Sequence, residues 1–324
     1  MMSRNPTIVG RFTLMLLTAA AVPAQTKWNI VSTEQLTHSG MSNGGAISPD
    51  GKKIVIDDSA RFFLKDLDSG QTRQLLPDNQ TGSHNAVFTS DGKTIYLDAF
   101  KMADAPGKSY PPYFASLELT EGATVQPVPG FDKFYAASVS PDGKSVAYLV
   151  HEENLKRSLN VRPLNGGASR KVFSWNAGSY FFRAPSWSPD GQTILVHKGK
   201  PDRDVLLAVS VKTGEVKEIV SPRKEIYETF WPARANGLFA IVCDNVCQIW
   251  HLRIPGNQWT QVTRDDLGFG GWLSANADGT MLLADRGVVD RSIWDTMLSM
   301  FVRDYPTSLK CDLVLLRLKR GDAQ

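Results

Sequence analysis

Three groups of residues in this sequence have types and spacings that could do chemistry. Gly40-Met41-Ser42-Asn43-Gly44 has the G-x-S-x-G spacing of a nucleophile elbow, in which a serine on a sharp turn attacks a carbonyl carbon. That elbow needs a strand before the serine, a helix after it and a parallel sheet to display it. Five histidines, His38, His84, His151, His197 and His251, could ligate a metal or move a proton. None lies within the three to five residues of another that zinc motifs use. Three cysteines complete the set. Cys243 and Cys247 are separated by Asp244-Asn245-Val246, and Cys311 stands apart. Which of these can act depends on the elements that carry them.

Those elements repeat. Ser48-Pro49-Asp50-Gly51-Lys52 returns as Ser90-Asp91-Gly92-Lys93, as Ser140-Pro141-Asp142-Gly143-Lys144 and as Ser188-Pro189-Asp190-Gly191-Gln192. A weaker copy is Asn276-Ala277-Asp278-Gly279-Thr280, and Ala235-Asn236-Gly237 holds the intervening place without the acid. The turn glycines 51, 92, 143, 191, 237 and 279 are thus 41 to 51 residues apart. Each copy lies between short apolar runs, and Asp-Gly between such runs signals a hairpin, because glycine enters φ > 0 without a Cβ clash. The turn carboxylates of Asp50, Asp91, Asp142, Asp190 and Asp278 read as caps for backbone N–H groups. A second glycine follows a third apolar run in each unit, at 70, 122, 166, 214, 256 and 321. Two turns per unit make four strands, and six such units make a six-bladed β-propeller, an all-β fold.

The sixth unit stops three residues after Gly321, before a fourth strand. Ser32-Thr33-Glu34-Gln35-Leu36-Thr37 resembles the outer strand Trp259-Thr260-Gln261-Val262-Thr263, so the N-terminal strand is expected to complete the last blade and close the ring. The Ser-Pro-Asp-Gly-Lys signature resembles the WD40-like (PD40) repeats of the TolB-like propeller family, across essentially the whole mature chain. The resemblance implies the fold. It leaves function open, since such propellers serve in Tol-system proteins, peptidase gates, sensors and some lyases. The α/β domain that precedes the propeller in Tol-system members has no counterpart here, which argues against that role.

With the blades in place, Ser42 falls in the loop from the last blade into the first, with a strand and not a helix after it. The nucleophile-elbow reading therefore fails. A peptidase gate would also need a hydrolase domain of about 250 residues beside the propeller, for which these 324 leave no room. The histidines are scattered at no more than one per blade, so solvated or locally bonded roles are expected, with no metal and no cofactor. Loops of different blades do meet at the channel, so a lyase or hydrolase acting on an extended polymer there is the alternative. Cys243 and Cys247 flank a three-residue hairpin turn and are expected to form a disulfide, the other reading being three reduced thiols.

Two insertions interrupt the repeat. From first to second turn glycine, blades 1, 3, 4 and 5 take 19 to 23 residues, blade 2 takes 30 and blade 6 takes 42. Both excesses fall between the second and third strands, so both project from one face. Ile293, Trp294, Met297, Leu298 and Phe301 are spaced as an amphipathic helix. Tyr110 and Tyr113 end an extended aromatic stretch in blade 2, and Tyr180 and Phe181 lie in a connection between blades. Tyr110, Tyr113, Tyr180, Phe181, Trp294 and Phe301 are the candidate partner-binding residues.

Composition narrows the partner. Hydrophobic residues make up 42% and charged residues 21%, as in ordinary soluble domains. Arg4 and Arg11 form a basic region ahead of an apolar run, Phe12 to Val22, too short to span a bilayer. Val22-Pro23-Ala24 then supplies a signal-peptidase site, so residues 1–24 read as a leader and 25–324 as the propeller. Without the leader the 36 basic and 33 acidic residues become 34 and 33, a net charge of +1. Nothing there favours nucleic acid. No other segment is long and apolar enough for a membrane helix. The sequence thus predicts a periplasmic or secreted monomer, more binding protein than enzyme, engaging a protein or peptide through the insertion-bearing face.

Overall fold

A computed structural model describes residues 27–58, 61–76, 81–101, 113–131, 134, 136–154, 156–176, 183–254, 256–288 and 310–321. Residues 1–24, read above as a leader, lie outside them, as do the insertion residues 102–112 and 289–309. Tyr110, Tyr180, Phe181, Trp294 and Phe301 therefore all fall outside the described residues.

Strand β1 (Lys27–Gln35) opens the described chain. Blade 1 follows as β2 (Ser42–Ile47), β3 (Lys53–Asp58), β4 (Arg61–Asp66) and β5 (Thr72–Gln74). Blade 2 is β6 (Thr81–Phe88), β7 (Thr94–Lys101), β8 (Tyr113–Glu118) and β9 (Gln126–Pro127). Blade 3 is β10 (Ala136–Val139), β11 (Ser145–His151), β12 (Lys156–Pro163) and β13 (Arg170–Asn176). Blade 4 is β14 (Ser186–Trp187), β15 (Thr193–Lys198), β16 (Val205–Ser210) and β17 (Val216–Val220). Blade 5 is β18 (Glu225–Phe230), β19 (Leu238–Cys243), β20 (Cys247–Arg253) and β21 (Gln258–Gln261). Blade 6 takes β22 (Phe269–Ala275), β23 (Met281–Val288) and β24 (Lys310–Gly321) from the end of the chain and β1 from its beginning, in the order β1-β24-β23-β22. The described residues thus form six four-stranded antiparallel sheets, a six-bladed β-propeller.

Closure follows the expected logic, with an earlier start. The outer strand of blade 6 runs Lys27–Gln35, with Lys27 opposite Gly321 and Gln35 opposite Val314. Leu36 and Thr37, expected inside the strand, extend the clamp beyond it. Leu36 N–H donates to the Leu313 carbonyl at 2.7 Å, and the Thr37 hydroxyl accepts from Leu313 N–H at 2.8 Å. Asp312 fastens the same segment, accepting from the Gln35 amide, the Thr37 hydroxyl and Gly40 N–H at 3.0–3.1 Å.

The core is divided among the blade interfaces because a strand sends alternate residues to opposite faces. In β3, Ile54 and Ile56 pack against Leu283, Leu313 and Leu315 of blade 6, whereas Val55 packs against Ile95 and Leu97 of blade 2. In β24, Val314 and Leu316 join the blade 5 side instead. Six buried clusters result, each drawn from two neighbouring blades. Indole N–H groups add polar ties between blades: Trp187 donates to the Ser138 carbonyl and Trp175 to that of His197, both at 3.1 Å.

The repeated turn is built from the repeated residues. In blades 1, 3 and 4 the Asp carboxylate accepts both the hydroxyl two residues before it and the N–H two residues after it, as Asp50 does with Ser48 at 2.6 Å and Lys52 at 3.0 Å. In blade 2 Thr89 supplies the hydroxyl, and in blade 6 Thr280 does. The glycines of these five turns have φ between 67° and 74°. Without its acid, the blade 5 turn departs, with Gly237 at φ 130°.

Candidate site at the mouth of the channel

In every blade the first strand starts, the second ends and the third starts at the same end of the ring. The insertions leave from this end, β7 ending at Lys101 and β8 beginning at Tyr113, β23 ending at Val288 and β24 beginning at Lys310. Tyr113 is the one candidate partner-binding residue that is described. It sits partly exposed at the start of β8, packed beside the core between blades 1 and 2.

Four innermost strands are bulged near this end. Register shifts fall between Ser42 and Gly45 in β2, Ser83 and Ala86 in β6, Ile226 and Glu228 in β18, and Gly270 and Leu273 in β22. A bulge leaves backbone groups outside the ladder and re-aims a side chain. Each of the four has a carboxyl beside it. Asp57, Asp98 and Asp285 occupy one repeat position, six residues after the turn glycine, and all are buried. Asp98 accepts from Ala137 N–H of the next blade at 3.1 Å, and Asp285 accepts from the Ser42 hydroxyl across the closing seam at 2.7 Å. In blade 5 the acid is on the bulged strand itself, where Glu228 accepts from Thr229 N–H at 2.8 Å. Burial pushes the Asp98 and Asp285 carboxyls up to about 8, so both are largely protonated at neutral pH.

Ser42, expected in a loop, is the first residue of β2, and its hydroxyl is bound to a carboxyl group, not to an imidazole on an elbow. The histidines whose side chains are described stay apart. His38 and His151 are exposed, His197 is buried in β15, and His251 packs in blade 5 against Trp28 and Phe239. Burial lowers His197 well below the usual histidine range and takes His251 to about 4. Among the described residues no three His, Cys, Asp or Glu side chains are placed to hold a metal ion. Cys243 and Cys247 face each other across the β19–β20 hairpin, Cα atoms 4.0 Å apart, and are joined as a disulfide; Cys311 is a free thiol at the start of β24. Burial, then the nearby Asp285 and Asp312, raises that thiol to about 12, which leaves it protonated and poorly nucleophilic. The aromatics of the blade 2–3 connection turn inward, Phe131 and Phe134 packing with Phe114.

One constellation at the mouth went unread in the sequence. Arg183 enters blade 4 just before β14, is 6% exposed, and lies over the ring of Tyr227 with its guanidinium carbon 4.3 Å from the centroid. Tyr227 is the extra residue of the β18 bulge, and Glu228 is next to it. Both retain partial contact with solvent, yet surrounding protein raises the Tyr227 hydroxyl and brings the Glu228 carboxyl to about 7. Asp204 also acts on Arg183, its carboxylate accepting from Ile226 N–H at 3.1 Å and its acidity weakened by burial. Arg183 and Tyr227 are 44 residues apart and in different blades, so no local spacing announces them. The buried acids did carry a signal, an Asp in phase with the turn glycine in three units.

Fold and repeat together define a TolB-like six-bladed β-propeller. Among solved structures the chain is similar to a putative TolB from Agrobacterium tumefaciens, with a TM-score of 0.58 and 15% identity over 80% of this chain and 87% of that one. TolB from Acinetobacter baumannii follows at 0.56 and 15%, with 86% of this chain and 64% of that one covered. A puromycin hydrolase gives 0.54 and 15%, covering 82% of this chain and 44% of the hydrolase. In sequence, a stretch of 99 residues, 31% of this chain, is 29% identical to the uncharacterized peptidase YuxL of Bacillus subtilis, and it spans 13% of that protein's length. No family model matches the chain.

Proposed function

We propose that this chain is an exported binding propeller, not an enzyme, that holds a protein or peptide on the face from which the blade 2 and blade 6 insertions depart. The observation that carries this reading is the mouth of the channel on that face. There four inner strands are bulged, and at one of them, β18, Tyr227 lies under the guanidinium of Arg183 with a partly accessible carboxyl beside it, on a ring clamped shut by its own N-terminus. A rigid scaffold with aromatic residues at the mouth of its channel suits polypeptide capture. The acids next to the bulges are engaged with backbone and hydroxyl groups, which supports a structural role for them. The leader-like N-terminus supports export to the periplasm or beyond.

The test pairs capture with stability. Tyr110→Ala and Trp294→Ala should each weaken capture of a periplasmic polypeptide by the immobilised protein, by about 2 kcal/mol if these are anchors, with an unchanged melting temperature. Lost stability with unchanged capture would count against the binding face. Cleavage of the captured chain on prolonged incubation would favour the hydrolase alternative.

A further inference from the structure

We infer that the first half of β1, residues 27–30, is an acid-released latch, hinged at the bulge at Val31 and held shut by Trp28 against His251. The ring-closing strand then carries a device that loosens its outermost segment and leaves the rest of the seam in place.

The bulge divides β1 into two halves that are held differently. Pairing with β24 shifts between Ile30 and Ser32, so Val31 is the extra residue, and it stands exposed. Beyond it, Glu34 reaches Lys65 of blade 1 at 3.0 Å and Arg317 of β24 at 3.4 Å, and Asp312 fastens Gln35 and Thr37. Before it, Trp28 is the one buried residue among the described residues of β1. Its indole packs against two rings of blade 5, with centroid separations of 5.7 Å to His251 and 5.3 Å to Phe239. Among the described residues neither Trp28 Nε1 nor His251 Nε2 has a hydrogen-bond partner, although both atoms are buried. Two unpaired polar atoms in one dry pocket weaken the closed state, because water satisfies both on release.

A proton turns that weakness into a switch. Arg320 of β24 lies over the Trp28 ring, 5.1 Å from its centroid, and Arg253 stands on the same strand as His251. Against the imidazole β1 brings Trp28, β19 brings Phe239 and β21 brings Thr260, none of which titrates in this range. Burial first, then the charges of Arg320 and Arg253, takes His251 to about 4. Once the latch is released the imidazole meets water and titrates near the ordinary histidine value of about 6.5. Its contribution to closure is therefore complete above about 6.5 and falls about tenfold per unit as pH drops toward 4. Glu34 is held below its usual range, chiefly by the hydrogen bond from Lys65, so the second half of β1 keeps its ion pairs over most of that interval.

The experiment is hydrogen–deuterium exchange of the full chain, read by mass spectrometry and corrected for the intrinsic rate at each pH. From pH 7 to pH 4.5 the amides of residues 27–30 should lose protection about fiftyfold, and those of residues 32–37 less than about threefold. His251→Gln, which cannot take up the proton, should abolish the acid step in residues 27–30. Trp28→Ala should open the same segment at pH 7 and leave residues 32–37 protected, a second reading that does not depend on how the glutamine variant packs. A nuclear magnetic resonance titration of the imidazole supplies an independent check: a midpoint near 4 is expected, and one near 6.5 overturns the latch. Equal loss of protection in both halves, a first half unprotected already at pH 7, or an acid step that persists in His251→Gln overturns it as well.

Discussion

Blades 2 and 3 are neighbours built from the same repeat, yet they handle their inner strands differently. In blade 2 the innermost strand is bulged, and Asp98 stands in the second strand opposite the extra residue. In blade 3 the innermost strand pairs without a shift from Ala136 to Val139, and the equivalent residue is Leu149, fully buried in the core shared with blade 4. Bulging the strand frees backbone groups and demands a polar partner in a dry interior, whereas an unbroken ladder accepts a hydrocarbon. Blades 1 and 6 follow blade 2, with Asp57 and Asp285. The difference teaches that the buried acids are part of the bulge and not a failed active site. They let the inner strands open toward the channel on one side of the ring.

The largest expected effect concerns the seam that this comparison takes for granted. Deleting residues 25–37 removes β1 and leaves β24 as an uncovered edge, with Asp312 stripped of its Gln35 and Thr37 partners. An exposed edge of this length templates aggregation. The truncated chain should aggregate or unfold without cooperativity in chemical denaturation monitored by circular dichroism. A monomeric product with an unchanged melting temperature would refute closure by the N-terminal strand.

Exchanging the two residues tests the comparison itself. Leu149→Asp places a carboxyl where no bulge supplies N–H groups and also removes a packed leucine, at a cost of about 4 kcal/mol or more. Asp98→Leu removes the acceptor that Ala137 N–H finds in the neighbouring blade and should cost less, about 1–3 kcal/mol. Equal costs would break the pairing of acid with bulge. Acidity sharpens the same point. Because the folded-state values of Asp98 and Asp285 are raised to about 8, the folded protein holds protons that the unfolded chain has released. Their contribution is complete below about pH 4 and is lost as pH rises through about 8. His197 and His251 are shifted the other way, so their contribution holds above the usual histidine range and is lost as pH falls. Between pH 6.5 and pH 8 the carboxyls act and the histidines do not, and stability should fall with pH, by up to about 1.4 kcal/mol per unit for each of Asp98 and Asp285 and by less for Glu228, which loses its proton through about 7. Asp98→Asn should remove one share of that slope in melting temperatures taken across the range.

Much of this architecture was legible in the chain. Asp-Gly turns in phase with a second glycine specified blades and their number, and the missing fourth strand after Gly321 pointed to the N-terminus. Asp57, Asp98 and Asp285 were equally in phase, but each follows an apolar run that reads as an ordinary buried strand. Their meaning depends on an extra residue in a different strand, and a bulge shows only once register is known. The Arg183–Tyr227 stack was illegible for a simpler reason: its partners meet only because two blades stand side by side at the channel.

The smallest expected effect lies in the turns, where blade 5 is the exception. In blades 1 to 4 the turn Asp binds a hydroxyl and an N–H, and in blade 1 the hydroxyl of Ser48, more than any other group, holds the Asp50 carboxyl below its usual range. Asp50→Ala removes two acceptor contacts at a partly exposed turn and should cost about 1 kcal/mol in urea denaturation. A repeat read only as a motif predicts that restoring the acid in blade 5, Asn236→Asp, should gain about as much. The structure predicts otherwise. Gly237 sits at φ 130° rather than near 70°, and a Cβ there would lie 2.0 Å from the Leu252 carbonyl oxygen, so this turn follows another path pressed against β20. A carboxylate at 236 would then lack the N–H that the other turns offer, and the change should stay within about 0.5 kcal/mol of zero. A gain of 1 kcal/mol would show that the blade 5 turn relaxes to the common form once its acid is returned.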